Sequence, residues 1–421
     1  MNKSEVLELL DRNITKTMGC TDIGVVGYIA SIGAYVLKDK KIRTVDLVMS
    51  EELYKNSVNV GVPGLKKSGL DKALALGLLL KNPNKQLSVF ESVTSDDIDK
   101  IDELLKEVEV SISHKKFDDT VLYEKLEITS CDGENIEIVI KDNYDNVVSV
   151  KRNGENLEEF AKSKLLKSVA QKKITSYDEI LDFVESRDFD GLETLFDIAK
   201  IQYDNAREEI KKEGGKYLVE DLREPQKDCL YDLSNFLRQH IAVPSSKRMK
   251  GDIYTVYGVA GSGNLGIGTL VTPMFLADSV NLSEIERKSI IVLSFLTSVY
   301  VKQEMSIVTV LCGTGHATGS STAAVTTYVR GGTPNQINRS INLYLATAMG
   351  FVCDGAKMSC TYKVSFAAMN GMIAGKMVMD DNSYCDGYGI GKDDVDMTIK
   401  NLGKLNNDIL NSANKGIIEL I

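Results

Sequence analysis

The spacing of apolar residues predicts that the chain begins with two helices. Apolar residues recur at helical intervals from Val6 to Ile14, behind Asn2 or Ser4, either of which can cap a helix. A second, more apolar helix is predicted from about Ile23 to Leu37. The break between the two helices contains Cys20, so this cysteine is expected at or just before a helix N-terminus.

Alternating apolar and polar residues then predict strands, interrupted by further helices. Asp-Gly and Asn-rich turns join the later strands, which favours an antiparallel sheet with one wet face. The predicted strands are Ile42–Met49, a shorter extended run at Val58–Val62, Leu122–Ile128, Asn135–Lys141 and Asn146–Lys151. Helical spacing returns near Leu70–Leu80 and Asp96–Val108.

The second half of the chain has a different pattern. Residues Glu155 to Ala242 have the pattern of charged amphipathic helices. After Gly251 charge becomes rare and Gly, Ser, Thr and Ala become frequent, which permits close packing of helices. We therefore expect an α+β fold: N-terminal helices with a mostly antiparallel sheet, followed by a large all-helical C-terminal core. A soft boundary near Gly154 divides it into domains 1–154 and 155–421.

Composition narrows the range of functions. The chain has 421 residues, a formal net charge of -10 and a pI near 5.1, which argues against a nucleic-acid-binding surface. Apolar stretches are interrupted well before membrane-spanning length, so no membrane partner is expected. Seven scattered cysteines do not form a disulfide framework, and the N-terminus has no apolar signal core. We expect a cytoplasmic protein.

Four cysteines with small neighbours are the main chemical signal. They are Cys20, Cys312, Cys353 and Cys360. Thiolates are soft ligands that suit iron–sulfur clusters, zinc and copper(I), although a buried apolar role is the commonest fate of one intracellular cysteine. Spacings of 41 and seven residues between the last three do not match a ferredoxin or zinc ribbon. Ligands drawn from separate helices favour a catalytic cluster over an electron-transfer cluster.

Polar residues near two glycine-containing turns are candidates for binding a substrate. The run Gly261–Gly266 lacks the ending of a phosphate loop, and we expect Ser262, Gly263 and Asn264 to approach a substrate or cluster. A purely structural turn is the alternative. Arg248 lies just upstream, and its guanidinium suits the carboxylate of an amino acid, although most arginines are simply solvated.

A lysine, an amide and a histidine complete the candidate residues. Lys55 and Asn56 precede a Pro-Gly turn, and either could hold a carboxylate. Lys55 could instead remove a proton if burial lowered its pKa. His316 follows Cys312 by one helical turn and is interpreted as a core residue.

Several motifs together resemble the serine dehydratase-like family that includes the iron–sulfur L-cysteine desulfidases. The C-terminal part of that family is similar to the alpha domain of L-serine dehydratases. The resembling runs are MGCTD at Cys20, YKN and VPG within Tyr54–Gly64, KRM at Lys247–Met249, GSGNLGI from Gly261, VTVLCGTG around Cys312 and CDGAKMSCTYKV from Cys353. One departure is the pair Asp22-Ile23, where the family usually has Glu-Pro.

The resemblance implies roles for these residues. Cys312, Cys353 and Cys360 would hold a [4Fe-4S] cluster, and Cys20 would be either a rival ligand or a catalytic thiol. Lys55 is a second catalytic candidate. Residues expected to contact a small amino-acid substrate are Thr21, Asn56, Arg248, Ser262, Gly263 and Asn264. Cys131, Cys229 and Cys385 lie outside the motifs and are interpreted as bystanders.

The implied activity is β-elimination from L-cysteine, giving pyruvate, ammonia and sulfide. L-Serine dehydration is one alternative, a non-catalytic iron–sulfur sensor or scaffold is another, and a pyridoxal phosphate lyase is a third. The sequence leaves open the substrate, the general base and the oligomeric state, for which a homodimer is one option.

Overall fold

The computed structural model describes residues 1–65, 67–158, 172–213, 230–381 and 389–421. The helices are α1 Lys3–Asn13, α2 Thr21–Leu37, α3 Glu51–Ser57, α4 Leu70–Leu80, α5 Ser95–Glu107, α6 Asp178–Ser186, α7 Glu193–Glu213, α8 Leu230–Lys250, α9 Gly263–Val280, α10 Glu284–Glu304, α11 Gly313–Val329, α12 Pro334–Ala348, α13 Ser359–Met379, α14 Val395–Lys404 and α15 Ala413–Ile418. The strands are β1 Ile14–Met18, β2 Ile42–Ser50, β3 Glu109–Lys115, β4 Tyr123–Ser130, β5 Asn135–Lys141, β6 Val147–Arg152, β7 Glu155–Asn156 and β8 Thr255–Val259.

The larger sheet has the strand order β3-β2-β4-β5-β6-β7. Among the described strands of this sheet, β2 and β3 alone form a parallel pair, because helices α3 to α5 carry the chain back between them. The other neighbours are antiparallel, as the alternating pattern predicts. On β5 the alternate residues Ile136, Ile138 and Ile140 are fully buried, and this apolar face packs against α2. The predicted α+β class with a mostly antiparallel sheet is confirmed.

Helix α2 is buried along nearly its whole length, which fixes the position of Cys20 at its start. Nearly every residue from Thr21 to Leu37 is buried. Its crossing with α4 is close, since a Cβ added at Gly77 would lie 2.4 Å from the carbonyl oxygen of Gly27. Small residues at the crossing therefore bring the two helices together and hold the first turn of α2 rigidly.

A second, two-stranded sheet joins the N-terminus to the helical half. Strand β1 pairs with β8 in antiparallel fashion, with Ile14 opposite Val259. The apolar residues of α1 also pack into the core formed by the later helices, whereas residues from Met18 to Val150 form a separate core around the sheet. The first fourteen residues therefore pack with the helical half, and the division at Gly154 stays a prediction.

Some local predictions were wrong. The run Val58–Val62 is not extended, because α3 ends at Ser57 and the chain then turns, with one isolated bridge between Gly61 and Ser68. Strand β8 interrupts the half that was expected to be entirely helical. Both errors arise because an apolar run is buried equally well by a turn, a strand or a helix, and its partners decide which forms.

In the parts of the chain that the structure describes, no helix combines the length and apolar character that crossing a membrane would require.

Candidate active site

The first turns of four helices meet at one open cleft. Cys20 is the N-cap of α2, Ser262 the N-cap of α9 and Cys312 the N-cap of α11, while Cys360 lies in the first turn of α13. All four residues line the cleft. Helix N-termini carry partial positive charge and unpaired backbone N–H groups. These helix N-termini therefore offer backbone N–H groups to an anionic ligand such as a substrate carboxylate.

Two paired loops position the second and third cysteines. The backbone N–H of Cys312 donates to the carbonyl oxygen of Phe351 at 2.6 Å, and that of Cys353 donates to Val310 at 2.7 Å. An isolated bridge between Leu311 and Val352 completes the pairing. Backbone bonds rather than side-chain packing thus hold Cys312 and Cys353 in register, 41 residues apart in sequence.

Cys312, Cys353 and Cys360 are better suited to binding a cluster than to standing as three uncoordinated thiols. All three are free and half-buried, and their polar contacts are long: Cys353 Sγ lies 3.6 Å from Asn56 Oδ1 and Cys360 Sγ lies 3.6 Å from the Gly355 carbonyl. Burial raises the pKa of Cys312, and the neighbouring Cys353 and Cys360 raise it further. Burial, then Cys353, likewise raises the pKa of Cys360. Metal binding removes that penalty because the metal replaces the protons.

The residues present therefore fit a multi-iron cluster. Across the described ranges, no three His, Cys, Asp or Glu side chains are close enough to share one metal ion. A cubane makes a different demand, since each cysteine sulfur binds a different iron and the sulfurs stand farther apart than around one ion. Three soft thiolates that line one cleft, two of them at helix N-termini, meet that demand.

Cys20 belongs to a hydrogen-bonded network centred on Asp22. The Cys20 thiol donates to Asp22 Oδ2 at 3.1 Å, and the Tyr144 hydroxyl donates to Asp22 Oδ1 at 2.8 Å. The Asn56 amide lies 3.4 Å from the same Oδ1 and so connects Asp22 to Cys353. Burial, then the charge of Asp22, raises the pKa of Cys20 well above its ordinary value. A helix N-terminus by itself favours a thiolate, but here burial and Asp22 outweigh that effect.

Arg248 is fully buried at the side of the cleft. It comes from the last turn of α8 and donates to Asn264 Oδ1 at 2.6 Å and to the Gly19 carbonyl. The guanidinium lies flat against Gly263, where an added Cβ would come within 2.2 Å of a guanidinium nitrogen. Burial lowers the pKa of Arg248 to about 10, and its Nε has no hydrogen-bond partner among the described residues. A buried cation with an unused donor beside an open cleft is suited to a carboxylate ligand.

The polar residues predicted at the glycine-containing turn also line the cleft. Ser262 Oγ accepts from the Leu265 backbone and pairs with Thr314 Oγ1 at 2.9 Å. Gly263, Asn264 and Thr21 contribute to the same walls. These residues, with Asn56 and Arg248, are brought together as the sequence predicted, although their roles stay a prediction.

Lys55 is placed differently from the other candidates. Its ammonium is buried, donates to the Thr309 carbonyl at 3.0 Å and to Asn414 Oδ1 at 2.8 Å, and does not line the cleft. Tyr144 and Lys302 are among the cleft residues that sequence reasoning missed. Burial lowers the pKa of Lys302 to about 8, and its ammonium donates to the Ser306 carbonyl at 2.9 Å. Neither residue lies in a recognisable motif.

The remaining cysteines and His316 lie apart from this chemistry. Cys131 is exposed at the turn after β4, with its sulfur 3.8 Å from the Ile42 carbonyl. Cys229 and Cys385 lie outside the described residues. His316 is buried, and its Nδ1 pairs with the Cys312 carbonyl at 2.8 Å, in agreement with the interpretation as a core residue.

Comparison with known proteins identifies the family. The family model for the serine dehydratase alpha chain matches residues 84–419. A UPF0597 protein of Fervidobacterium nodosum is 30% identical over 420 residues, which covers 100% of this chain and 97% of the relative. A UPF0597 protein of Caldanaerobacter subterraneus is 29% identical over 98% of this chain and 97% of the relative. A third, from Methanocella arvoryzae, is 27% identical over 100% and 99%.

The chain therefore belongs to the serine dehydratase alpha chain family, and its UPF0597 relatives are those of the cysteine desulfidase-like group. This membership supports a lyase of amino-acid catabolism. The matched region contains Arg248 and the three half-buried cysteines but not Cys20, Asp22 or Asn56. The relatives extend over those N-terminal residues as well.

Proposed function

We propose that this protein is an iron–sulfur-dependent lyase that eliminates the β-substituent of L-cysteine. Water and L-cysteine would give pyruvate, ammonia and hydrogen sulfide. The observation that carries this proposal is the convergence of three thiols, a fourth thiol and a buried guanidinium on one cleft at helix N-termini. Family membership supports the reaction class, since a serine dehydratase also removes a β-substituent from a small amino acid.

Cys312, Cys353 and Cys360 are the residues that would hold a [4Fe-4S] cluster. When bound, such a cluster with three protein ligands supplies a Lewis-acidic iron for the leaving group. Cys20 is left out of this set because its thiol is directed to Asp22 at 3.1 Å. The donor set and its surroundings support this cofactor assignment.

The residues of the chain would bind the substrate and move its proton. Arg248, with the helix N-termini, would bind the α-carboxylate through charged hydrogen bonds. Cys20 would first release its own proton to water in the open cleft, and as a thiolate would then accept the α-proton of the substrate. Loss of the α-proton and of the β-substituent leaves an enamine, which tautomerises and hydrolyses to pyruvate and ammonia. Lys55 takes no part here, because its ammonium is bonded to Thr309 and Asn414.

L-Serine is the second candidate substrate, and the description of the matching family favours it. Both substrates share the carboxylate, the ammonium and the β-leaving position. They differ in whether the leaving atom is sulfur or oxygen.

The deciding experiment uses protein purified without oxygen. Iron and acid-labile sulfide are counted, and pyruvate, ammonia and sulfide are measured after addition of L-cysteine or L-serine. We expect a brown protein that releases pyruvate and sulfide from L-cysteine faster than it releases pyruvate from L-serine. Faster release from L-serine would assign the dehydratase reaction. A full cluster with neither product would assign a non-catalytic role.

A further inference from the structure

Asp22 is a buried carboxylate with no partner of opposite charge. It is only 7% exposed, and its hydrogen-bond partners are a thiol, a phenol and an amide. Among the residues that the structure describes, no lysine, arginine or histidine forms an ion pair with it within 4.0 Å. Buried carboxylates are normally paired, because removing a charge from water is costly. The cleft therefore contains a negative group that still lacks its cation.

The nearest positive groups of the cleft are already directed elsewhere. Arg248 donates to the Gly19 carbonyl and to Asn264, and Lys302 donates to the Ser306 and Ile307 carbonyls. Both line the same cleft as Asp22. They weaken the local negative potential without contacting the carboxylate, so Asp22 remains open to a cation that enters through the cleft.

Counting acceptor positions shows that Asp22 has room for one more donor. A carboxylate accepts about four hydrogen bonds, two on each oxygen. Oδ1 accepts from Tyr144 at 2.8 Å and is approached by Asn56 at 3.4 Å, which accounts for both of its positions. Within the part of the chain that the structure describes, Oδ2 accepts from Cys20 alone, at 3.1 Å. One position is left, on the oxygen that faces the thiol.

The cleft also has one negative and one positive side chain at different positions, as the binding of a zwitterion requires. Asp22 lies at the N-terminus of α2 and contributes a negative charge to the cleft. Arg248 lies at the end of α8 and contributes a positive charge. Arg248 has the buried, unpaired Nε, and Asp22 has the unused acceptor position. A small α-amino acid presents a carboxylate and an ammonium with the same complementarity.

We infer that Asp22 binds the α-ammonium of the ligand and so restricts this cleft to α-amino acids with a free amine. The inference rests on the proposed function and deepens it, because it names what the cleft recognises besides the carboxylate. An α-hydroxy acid of the same shape places an uncharged hydroxyl at Asp22 and leaves the carboxylate unpaired. Tyr144 and Asn56 act as positioning residues that hold Asp22 in place.

Ammonium binding has a consequence for Cys20. The charge of Asp22 is one cause of the raised pKa of that thiol, after burial. A bound ammonium offsets this charge, so substrate binding favours the thiolate that the reaction needs. The base is thereby made available when the amino acid is present.

Equilibrium binding to the oxygen-free, full-length protein tests the inference without turnover. L-Alanine has no β-leaving group and cannot be eliminated, and L-lactate replaces its ammonium by a hydroxyl. Titration calorimetry with both ligands compares the wild type with Asp22→Asn, with the charge-retaining Asp22→Glu, and with Asp145→Asn. Asp145 is a matched control, because it is an exposed carboxylate next to Tyr144 that does not line the cleft.

We expect the wild type to bind L-alanine about tenfold to a hundredfold more tightly than L-lactate, as for a hydrogen bond between charged groups. Asp22→Asn should lose this preference, while Asp22→Glu and Asp145→Asn keep most of it. A preference that persists in Asp22→Asn, or a wild type with none, overturns the inference. If Asp22→Asn does not fold, Asp22→Ser keeps a small acceptor for Cys20 and carries the same expectation. A preference that depends on Asp22 in a protein that releases no pyruvate would refute the proposed reaction alone.

Discussion

At the scale of single residues, two opposing effects act on the pKa of Cys20: the helix N-terminus lowers it, and burial beside Asp22 raises it. A helix N-terminus favours a thiolate by about 0.3–1 kcal/mol, and up to about 2 kcal/mol in buried geometry. Full burial shifts a pKa by up to about 3–5 units, and each unit is worth about 1.36 kcal/mol. Cys20 is 7% exposed and lies beside Asp22, so burial and the like charge prevail over the dipole.

Comparing iron content and turnover in cysteine variants distinguishes the role of Cys20 from that of the three proposed ligands. Cys20→Ala should abolish most turnover but keep the iron content, because its thiol is directed to Asp22. Cys312→Ser should lose the visible absorbance, the iron and the turnover together. Cys131→Ser is the control, since that thiol is exposed and outside the cleft, and should behave as wild type. Iron assays and the visible spectrum decide, and iron lost in Cys20→Ala would return Cys20 to the ligand set.

At the scale of elements, short segments tie distant parts of the chain to the cleft. Helix α3 contacts the C-terminal α15 through Lys55, whose ammonium donates to Asn414 Oδ1 at 2.8 Å and to the Thr309 carbonyl at 3.0 Å. Asn414 in turn donates to Glu52 Oε1 at 3.2 Å. Asn56, the residue after Lys55, lines the cleft. The contacts of Lys55 therefore hold α3 in position, and α3 carries the cleft residue Asn56.

Lys55→Met should consequently lower stability more than it alters the chemistry. The substitution leaves the buried Asn414 and Thr309 oxygens without their donor, which costs about 1–3 kcal/mol. Lys415→Met is the matched control, because it removes an exposed lysine from α15 itself. Urea unfolding gives the loss of stability, and kcat is measured on the folded fraction. An unchanged unfolding free energy with kcat reduced a hundredfold or more would return Lys55 to a catalytic role.

At the scale of the whole molecule, the cleft lies where two hydrophobic cores meet. Cys20 belongs to the core around the sheet, while the start of α9 and the body of α11 belong to the helical core. Another buried carboxyl, Glu124 on β4, lies near the same boundary. It is fully buried, neither of its oxygens has a hydrogen-bond partner in the described ranges, and the charge of Asp22 acts on it.

Glu124 should make the stability of the folded chain fall as the pH rises. Burial, then Asp22, raises its pKa well above the ordinary value of 4.5. Above pH 4.5 the unfolded chain loses this proton while the folded chain keeps it. Stability is therefore complete below that pH and falls by about 1.4 kcal/mol per pH unit until the folded pKa is reached.

Glu124→Gln removes this ionisation from both states. The difference in melting temperature between variant and wild type should thus move in favour of the variant from pH 5 to pH 8, whatever the fixed cost of the buried amide. Thermal melts at both pH values give this change. A difference that stays constant would show that Glu124 does not titrate on unfolding in this range.

The hydrophobic pattern alone was sufficient to predict the bounds of long helices and strands. Helix α4 at Leu70–Leu80 and strand β5 at Asn135–Lys141 have the predicted bounds, because a half-buried helix or strand repeats its period in the sequence. The cysteines with small neighbours and the glycine-containing turn were also visible locally. They required no knowledge of distant contacts.

The tertiary structure decided everything that depends on residues far apart in the chain. Lys55 and Asn56 are adjacent in sequence, yet only Asn56 lines the cleft, because α3 directs the lysine toward α15. Tyr144 reaches Asp22 across 122 residues, and no local pattern marks it. The pKa of Cys20 depends on burial and on Asp22, which the helix position alone does not reveal. Sequence periodicity determines which face of an element is buried, whereas packing between elements determines which side chains share a site and in what electrostatic environment.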